Sequence, residues 1–327
     1  MGLRDEILQQ PDVIEQLLDT QWEKVKKIAA ALRVRDFQYI FLTARGTSDN
    51  AGLYAKYLLG INNGIPTALA APSIFSMYGQ TPKLANALVL GISQSGQSPD
   101  IVSVLQEARK QEALTLAITN APDSPLAQTA EFSIDIFAGE EKAVAATKTY
   151  TAQLVAVAML AFALSGNTDN KNILGKLPDL IRQALTLEEK IARIVQRYFY
   201  MSQCAILGRG YNYATAFEWA LKLKELSYIV AEPYSSADFQ HGPIAIVDRG
   251  FPLFMIMPKG KVFADMLTLA QQLHEKKKAE TLILSNDEEA LALADTALAL
   301  PADMPEWLSP MVSIVPAQLF CYHLTRL

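Results

Sequence analysis

The chain has 327 residues, half of them hydrophobic, so it can bury roughly three quarters of its unfolded surface, and its length fits about two domains. Twenty-nine Lys and Arg stand against thirty-four Asp and Glu, a net charge of −5. That balance argues against nucleic acid and anionic membrane as partners, and it leaves any anionic ligand to be held by local geometry.

In chain order, residues 4–32 read as one or two amphipathic helices broken at Pro11, with Val13, Leu17 and Leu18 on one face and Trp22, Val25, Ile28 and Ala29 continuing it. Short apolar runs then alternate with helical stretches. Strands are expected at 39–43, 65–70, 88–93, 114–119 and 132–137, and Gly46-Thr47-Ser48-Asp49 opens a helix through Tyr54 and Leu58. Each intervening segment is long enough for a right-handed crossover, which makes this an α/β chain with a parallel, doubly wound sheet flanked by helices in three αβα layers. The longest uncharged segment, 149–168, has an apolar core of only 154–164, too short for a bilayer span, and reads as a buried helix. Cys204 and Cys321 make no disulfide framework, and with no signal sequence they predict a reducing cytoplasm.

The stretch Leu88-Val-Leu-Gly-Ile-Ser93-Gln94-Ser95-Gly96-Gln97-Ser98-Pro99 is the most informative. A strand ends in hydroxyls and amides and turns at a glycine into a helix, with Ser98 as N-cap and Pro99 at the first helical position. Free backbone N–H groups, the positive end of the helix dipole and neutral hydroxyl donors make the parts of an anion cradle. An ordinary capped turn has the same parts. The loop has no Lys and is not a nucleotide P-loop, and it lacks the G-x-G-x-x-G of dinucleotide sites.

The second half repeats the first. Phe41-Leu-Thr-Ala-Arg-Gly46 returns as Ala205-Ile-Leu-Gly-Arg-Gly210, an offset of 164; residues 65–75 line up with 229–239 at the same offset, and Ile118-Thr119-Asn120 with Leu284-Ser285-Asn286 at 166. Two copies of one α/β unit are expected, joined by a helical linker. They differ where chemistry belongs. Met257-Pro258-Lys259-Gly260 replaces the hydroxyl loop in the second copy, while the helix after Gly210 carries charges that have no counterpart after Gly46. One anion loop and one charged helix on different copies place the expected chemistry at their junction.

On that helix Glu218, Lys222 and Glu225 fall within about 60° of one another, flanked by Trp219, Leu226 and Leu221. A carboxylate against apolar walls titrates higher than usual, which suits a base that abstracts a proton beside a carbonyl; a solvated salt-bridged face is the alternative. His241 is one of three histidines and precedes Gly242-Pro243, which fixes its backbone. His274 and His323 read as structural. No metal cluster and no G-x-S-x-G nucleophile elbow is visible.

Taken together, Gly46-Thr-Ser, Ser93-Gln-Ser-Gly, Ala145-Ala-Thr-Lys148, Glu218-x-x-x-Lys-x-Lys-Glu225 and Gln240-His-Gly-Pro243 resemble the double sugar-isomerase (SIS) domain, as in the isomerase half of glucosamine-6-phosphate synthase. The likeness covers essentially the whole chain. Ala44-Arg-Gly-Thr-Ser-Asp and Ser95-Gly-Gln-Ser-Pro-Asp look most like stand-alone glucosamine-6-phosphate deaminases. The resemblance implies a lead-in over 1–35, SIS domains over 36–165 and 197–327, and a linker over 166–196. It implies a homodimer with shared active sites that binds a phosphorylated amino sugar and needs no metal or organic cofactor. The phosphate would sit on Ser93, Gln94, Ser95 and Ser98 with Thr47 and Ser48, and the sugar against Val144 and Ala146. Glu225 would move a proton between C1 and C2, His241 would assist ring opening from the partner subunit, and Glu218 and Lys222 would tune the site. Three departures from the synthase stand out. No glutaminase domain precedes Met1, so release of ammonia is the expected direction. Ala146 replaces a serine. The synthase's tail lysine has no counterpart before Leu327, through truncation or a missing role. The implied reaction converts glucosamine 6-phosphate to fructose 6-phosphate and ammonia; the rivals are a fructosyl-amino-acid 6-phosphate deglycase and a non-catalytic sugar-phosphate sensor.

Overall fold

The computed structural model describes residues 2–166 and 169–327. The lead-in is two helices, α1 (Leu3–Leu8) and α2 (Gln10–Arg33). They part at Gln9 rather than at Pro11, because Pro11 lies in the first turn of α2, where its missing N–H costs no helical bond. The alternation follows as β1 (Tyr39–Thr43), α3 (Thr47–Asn63), β2 (Thr67–Leu69), α4 (Ser73–Ser76), β3 (Ala87–Ser93), α5 (Pro99–Lys110), β4 (Leu114–Thr119), α6 (Pro125–Thr129) and β5 (Phe132–Asp135). These strands form a parallel sheet in the order β2-β1-β3-β4-β5. Every residue of β3 is buried, which is why its sequence is continuously apolar rather than alternating. Val89 on one face packs with Ile101, Leu105 and Leu126 from the helices that cover it.

Next come α7 (Lys148–Ser165), α8 (Asp169–Leu174), α9 (Leu177–Leu185) and α10 (Glu188–Ile194). By length and composition α7 passes as a membrane span, longer than its central apolar run suggests, yet 94% of that stretch is buried. Two residues of the expected linker, 167 and 168, lie outside the described residues. The second alternation is β6 (Gln203–Gly208), α11 (Tyr213–Ser227), β7 (Val230–Ser235), α12 (Ser236–Gln240), β8 (Pro252–Ile256), α13 (Phe263–Gln272), β9 (Glu280–Ser285), α14 (Glu288–Ala292), β10 (Thr296–Ala299) and α15 (Ser309–Leu324). Its parallel sheet runs β7-β6-β8-β9-β10, the same topology as the first. The repeat inferred from three sequence landmarks is therefore a repeat of strand order.

Compact units do not follow the two halves of the chain. The described residues of Met1–Leu8, Lys142–Thr147 and Leu177–Leu327 form one unit, and those of Gln9–Glu141 and Lys148–Lys176 the other. In the former, α1 holds the short 142–147 segment through Glu6. Its carboxylate is fully buried and accepts the backbone N–H of Lys142 at 2.5 Å and of Ala143 at 3.2 and 3.3 Å. Hydrogen bonds to an ionised acceptor are among the stronger ones, and a buried donor left unmade costs its full desolvation. Glu6→Ala is expected to cost about 2–3 kcal/mol in urea unfolding, and Glu6→Gln, which keeps one acceptor oxygen, clearly less. Equal losses would show that the charge has no part in the clamp.

Candidate active site

In an open parallel sheet, ligands bind at the carboxyl ends of the strands where the winding reverses, because neighbouring loops there leave to opposite faces and open a crevice. In the first sheet that point lies between β1 and β3, whose partners run from Tyr39↔Ala87 to Thr43↔Gly91. The loops after these two strands are the ones that carry Thr47, Ser48 and Ser93 to Ser98. Gly46 caps α3 at φ 55° and ψ −130°, a conformation closed to residues with a side chain. Ser48 is buried and its Oγ accepts from Gln153 Nε2 at 3.0 Å. After β3, the Gly96 N–H donates to Ser93 Oγ at 3.1 Å and the Gln97 N–H to Ser95 Oγ at 3.3 Å. A hydroxyl that accepts from a backbone N–H still has its own proton to give to an anion. Gly96, at φ 61°, is required by contact: a Cβ there would lie 2.0 Å from Ser124 Oγ. Ser98 occupies the N-cap of α5 as expected, but its side chain makes no capping hydrogen bond. The two loops are tied by an ion pair that sequence reasoning missed, Arg45 Nη2 to Asp100 Oδ2 at 2.7 Å. Hydrogen bonds from Ser76 and Arg45 hold the Asp100 carboxyl below the usual carboxylate range. The signal for this pair was in the repeat, since Arg45 and Asp100 return as Arg209 and Asp265, which also pair.

In the other unit, α11 places Glu218, Lys222 and Glu225 on one stripe. Glu218 and Lys222 are fully buried, whereas the Glu225 side chain is 32% exposed. The apolar walls thus enclose the first two and leave the third facing water, which differs from the expectation of a walled-in base. Lys222 Nζ lies 2.7 Å from Glu225 Oε2 and 3.3 Å from Glu218 Oε1. Burial pulls the Lys222 ammonium's pKa down, but the Glu218 charge and the Glu225 hydrogen bond outweigh it and hold it above the ordinary lysine value. The result is one surface-facing carboxylate fixed in place by a buried cation.

Of the remaining expected residues, His241 is exposed at the C-cap of α12, just before Gly242 at φ 138°. Val144 is 93% exposed and Ala146 partly buried, both on the segment clamped by Glu6. His323 pairs with Glu188 at 3.2 Å, in keeping with a structural role. Among the described residues no group of three His, Cys, Asp or Glu is placed to hold a metal ion.

Comparison with known proteins places these features in a family. The SIS domain profile matches twice, at residues 35–163 and 201–326. The glutamine–fructose-6-phosphate aminotransferase (isomerizing) of Aquifex aeolicus is 34% identical over 326 residues, covering 98% of this chain and 54% of that protein. The chain thus spans about half the length of the curated relatives it matches. Among solved structures, a Silicibacter pomeroyi protein described as a phosphosugar isomerase is 33% identical with a TM-score of 0.89, covering 99% of this chain and 97% of that one. The C-terminal domain of glucosamine-fructose-6-phosphate aminotransferase from Francisella tularensis is 28% identical with a TM-score of 0.90, covering 99% and 95%.

Because the folded pKa of Lys222 is raised, its contribution to stability is present in full below pH 10.5 and is lost only as pH rises through the raised value. At pH 8, Lys222→Met is therefore expected to cost about 3–5 kcal/mol, since it leaves the buried Glu218 carboxylate without that ammonium. Adding Glu218→Gln is expected to recover a large part of the loss in urea unfolding. No recovery would mean that the Lys222–Glu218 contact is not the stabilising one.

Proposed function

Because this chain belongs to the SIS domain family, we propose that it is a phosphosugar isomerase acting on phosphorylated amino sugars, and that it releases ammonia from glucosamine 6-phosphate to give fructose 6-phosphate. The observation that carries the reading is the Glu225 carboxylate, held 2.7 Å from a buried ammonium and open to solvent. Aldose–ketose interconversion needs a base that takes a proton from one carbon and returns it to its neighbour. In the opened sugar, Glu225 removes the proton at C2 as the C1 oxygen takes one up, which leaves an enolamine, and returns its proton at C1 as the nitrogen gives one up. The product is a C2 imine. One water adds to that carbon, the C–N bond breaks, and ammonia leaves, so every atom is accounted for by the sugar, water and the carboxylate's borrowed proton.

Lys222 holds that carboxyl group in position through the two transfers. The Ser93 and Ser95 hydroxyls, the Ser98 hydroxyl released from capping, Gln94, and Thr47 with Ser48 are assigned to the phosphate. A dianion suits such a loop because the first helical N–H groups and the helix dipole favour negative charge without a lysine. Val144 and Ala146 are assigned to the sugar and His241 to ring opening. The motifs Ala44-Arg-Gly-Thr-Ser-Asp and Ser95-Gly-Gln-Ser-Pro-Asp favour release over synthesis. A cytoplasmic location, supported by two cysteines that are both free and buried, and a homodimer, implied by the family resemblance, complete the reading.

Purified protein incubated with glucosamine 6-phosphate is expected to form ammonia and fructose 6-phosphate in equal amounts. Glu225→Gln should lower kcat by about 10²–10⁴-fold. Turnover of the variant at the parent's rate would remove Glu225 from the mechanism. Binding without any turnover would instead favour a sensor, and turnover confined to fructosyl-amino-acid 6-phosphates a deglycase. Ser93→Ala and Ser98→Ala are expected to raise KM while leaving kcat nearly unchanged, the signature of lost binding shared by ground and transition states.

A further inference from the structure

The two switch points are built alike. In each sheet the reversal lies between the first and third strands of the unit, β1 and β3 or β6 and β8. Gly46 and Gly210 open the first loops at φ 55° and 60°. Arg45 pairs with Asp100, and Arg209 with Asp265. The Ser236 hydroxyl donates to Asp265 at 3.3 Å, as the Ser76 hydroxyl does to Asp100.

They differ in what fills the crevice. With Asp265 taken as the counterpart of Asp100, Gly260 stands where the first copy has Ser95, and no hydroxyl is present in Met257-Pro258-Lys259-Gly260. Instead, a carboxylate enters from a distant segment. Glu306 Oε2 accepts the Lys261 N–H at 2.8 Å. A Cβ built on Gly260 would fall 2.3 Å from Glu306 Cδ and 2.4 Å from Oε2, and one built on Gly210 would fall 3.9 Å from Oε1. The carboxylate therefore lies against the backbone of both loops that flank the crevice. Burial, and then the Glu306 charge, push the neighbouring Tyr211 phenol up to about 12. Lys259, paired with Asp287 at 3.4 Å, and Lys261 make this loop more cationic than its lysine-free counterpart.

We propose that Glu306 is an internal anion: it occupies the second copy's crevice, closes it to sugar phosphates, and leaves the chain with one phosphate site where two copies of the fold would offer two. The inference rests on the reading of the Ser93–Ser98 loop only for the class of ligand. Its physical basis is that a crevice lined by N–H groups and an arginine costs free energy when emptied of charge, and here a covalently attached carboxylate satisfies it.

The test is calorimetric titration of the full chain with inorganic phosphate and with fructose 6-phosphate, with folding checked by circular dichroism. Wild type is expected to bind one phosphate group per chain and Glu306→Ala two, with turnover of glucosamine 6-phosphate unchanged. If the alanine variant does not fold, Glu306→Ser, which places a short hydroxyl on the turn before α15, is titrated instead. A folded variant with the stoichiometry of the wild type overturns the proposal. A variant that gains one phosphate over a wild type that binds none supports Glu306 as the plug and sinks the reading of the Ser93–Ser98 loop. Absence of binding in both proteins overturns the two together.

Discussion

Every parallel strand in this chain must return through a crossover, and where successive crossovers leave to opposite faces the sheet is split at its carboxyl edge. The split is not packed with apolar side chains, because the loops that lead into the following helices turn backbone N–H groups into it. Something with lone pairs has to be there. The first copy meets the requirement with Ser93 and Ser95, whose oxygens take the N–H groups of Gly96 and Gln97. The second meets it with a glutamate from the segment before α15. The same constraint is answered by short neutral side chains in one place and by a carboxylate in the other, which gives the two crevices different linings.

The charged stripe of α11 obeys the opposite logic. An ammonium buried as deeply as Lys222 is tolerated because carboxylates reach it from one turn on either side of the helix. Glu218 is spent on that neutralisation inside the protein. Glu225 is not, since a third of its side chain meets solvent, and so the arrangement separates an enclosed carboxylate from a solvent-facing one without needing two different residue types. The separation comes from helix phase alone: three positions further along, the stripe has rotated out of the core.

Much of this was legible before any coordinates. Strands β1 and β4 have the bounds read from their apolar runs, because both lie inside a sheet covered on two faces. Where the reading missed, a backbone reason is visible. β2 is shorter than its apolar run because it follows Pro66, which has no N–H for the ladder. β5 stops at Asp135 because Phe137 turns into the left-handed region at φ 51°. The stripe on α11 could be seen because its partners are three and four positions apart. Glu6 and Glu306 could not, for their partners lie 136 and 45 positions away and neither carboxylate has a local signature.

The interleaving of the two compact units has a historical consequence. A duplicated domain is at first separable, each copy an independent cassette that recombination can lose or exchange. Here the unit built on the second sheet takes its α1 from the start of the chain and its 142–147 segment from the middle, bound to each other through Glu6. Cutting the gene between the copies would leave the second sheet without two of its parts and the first with two strays. With its segments interleaved in this way, neither half of the chain alone carries a whole unit.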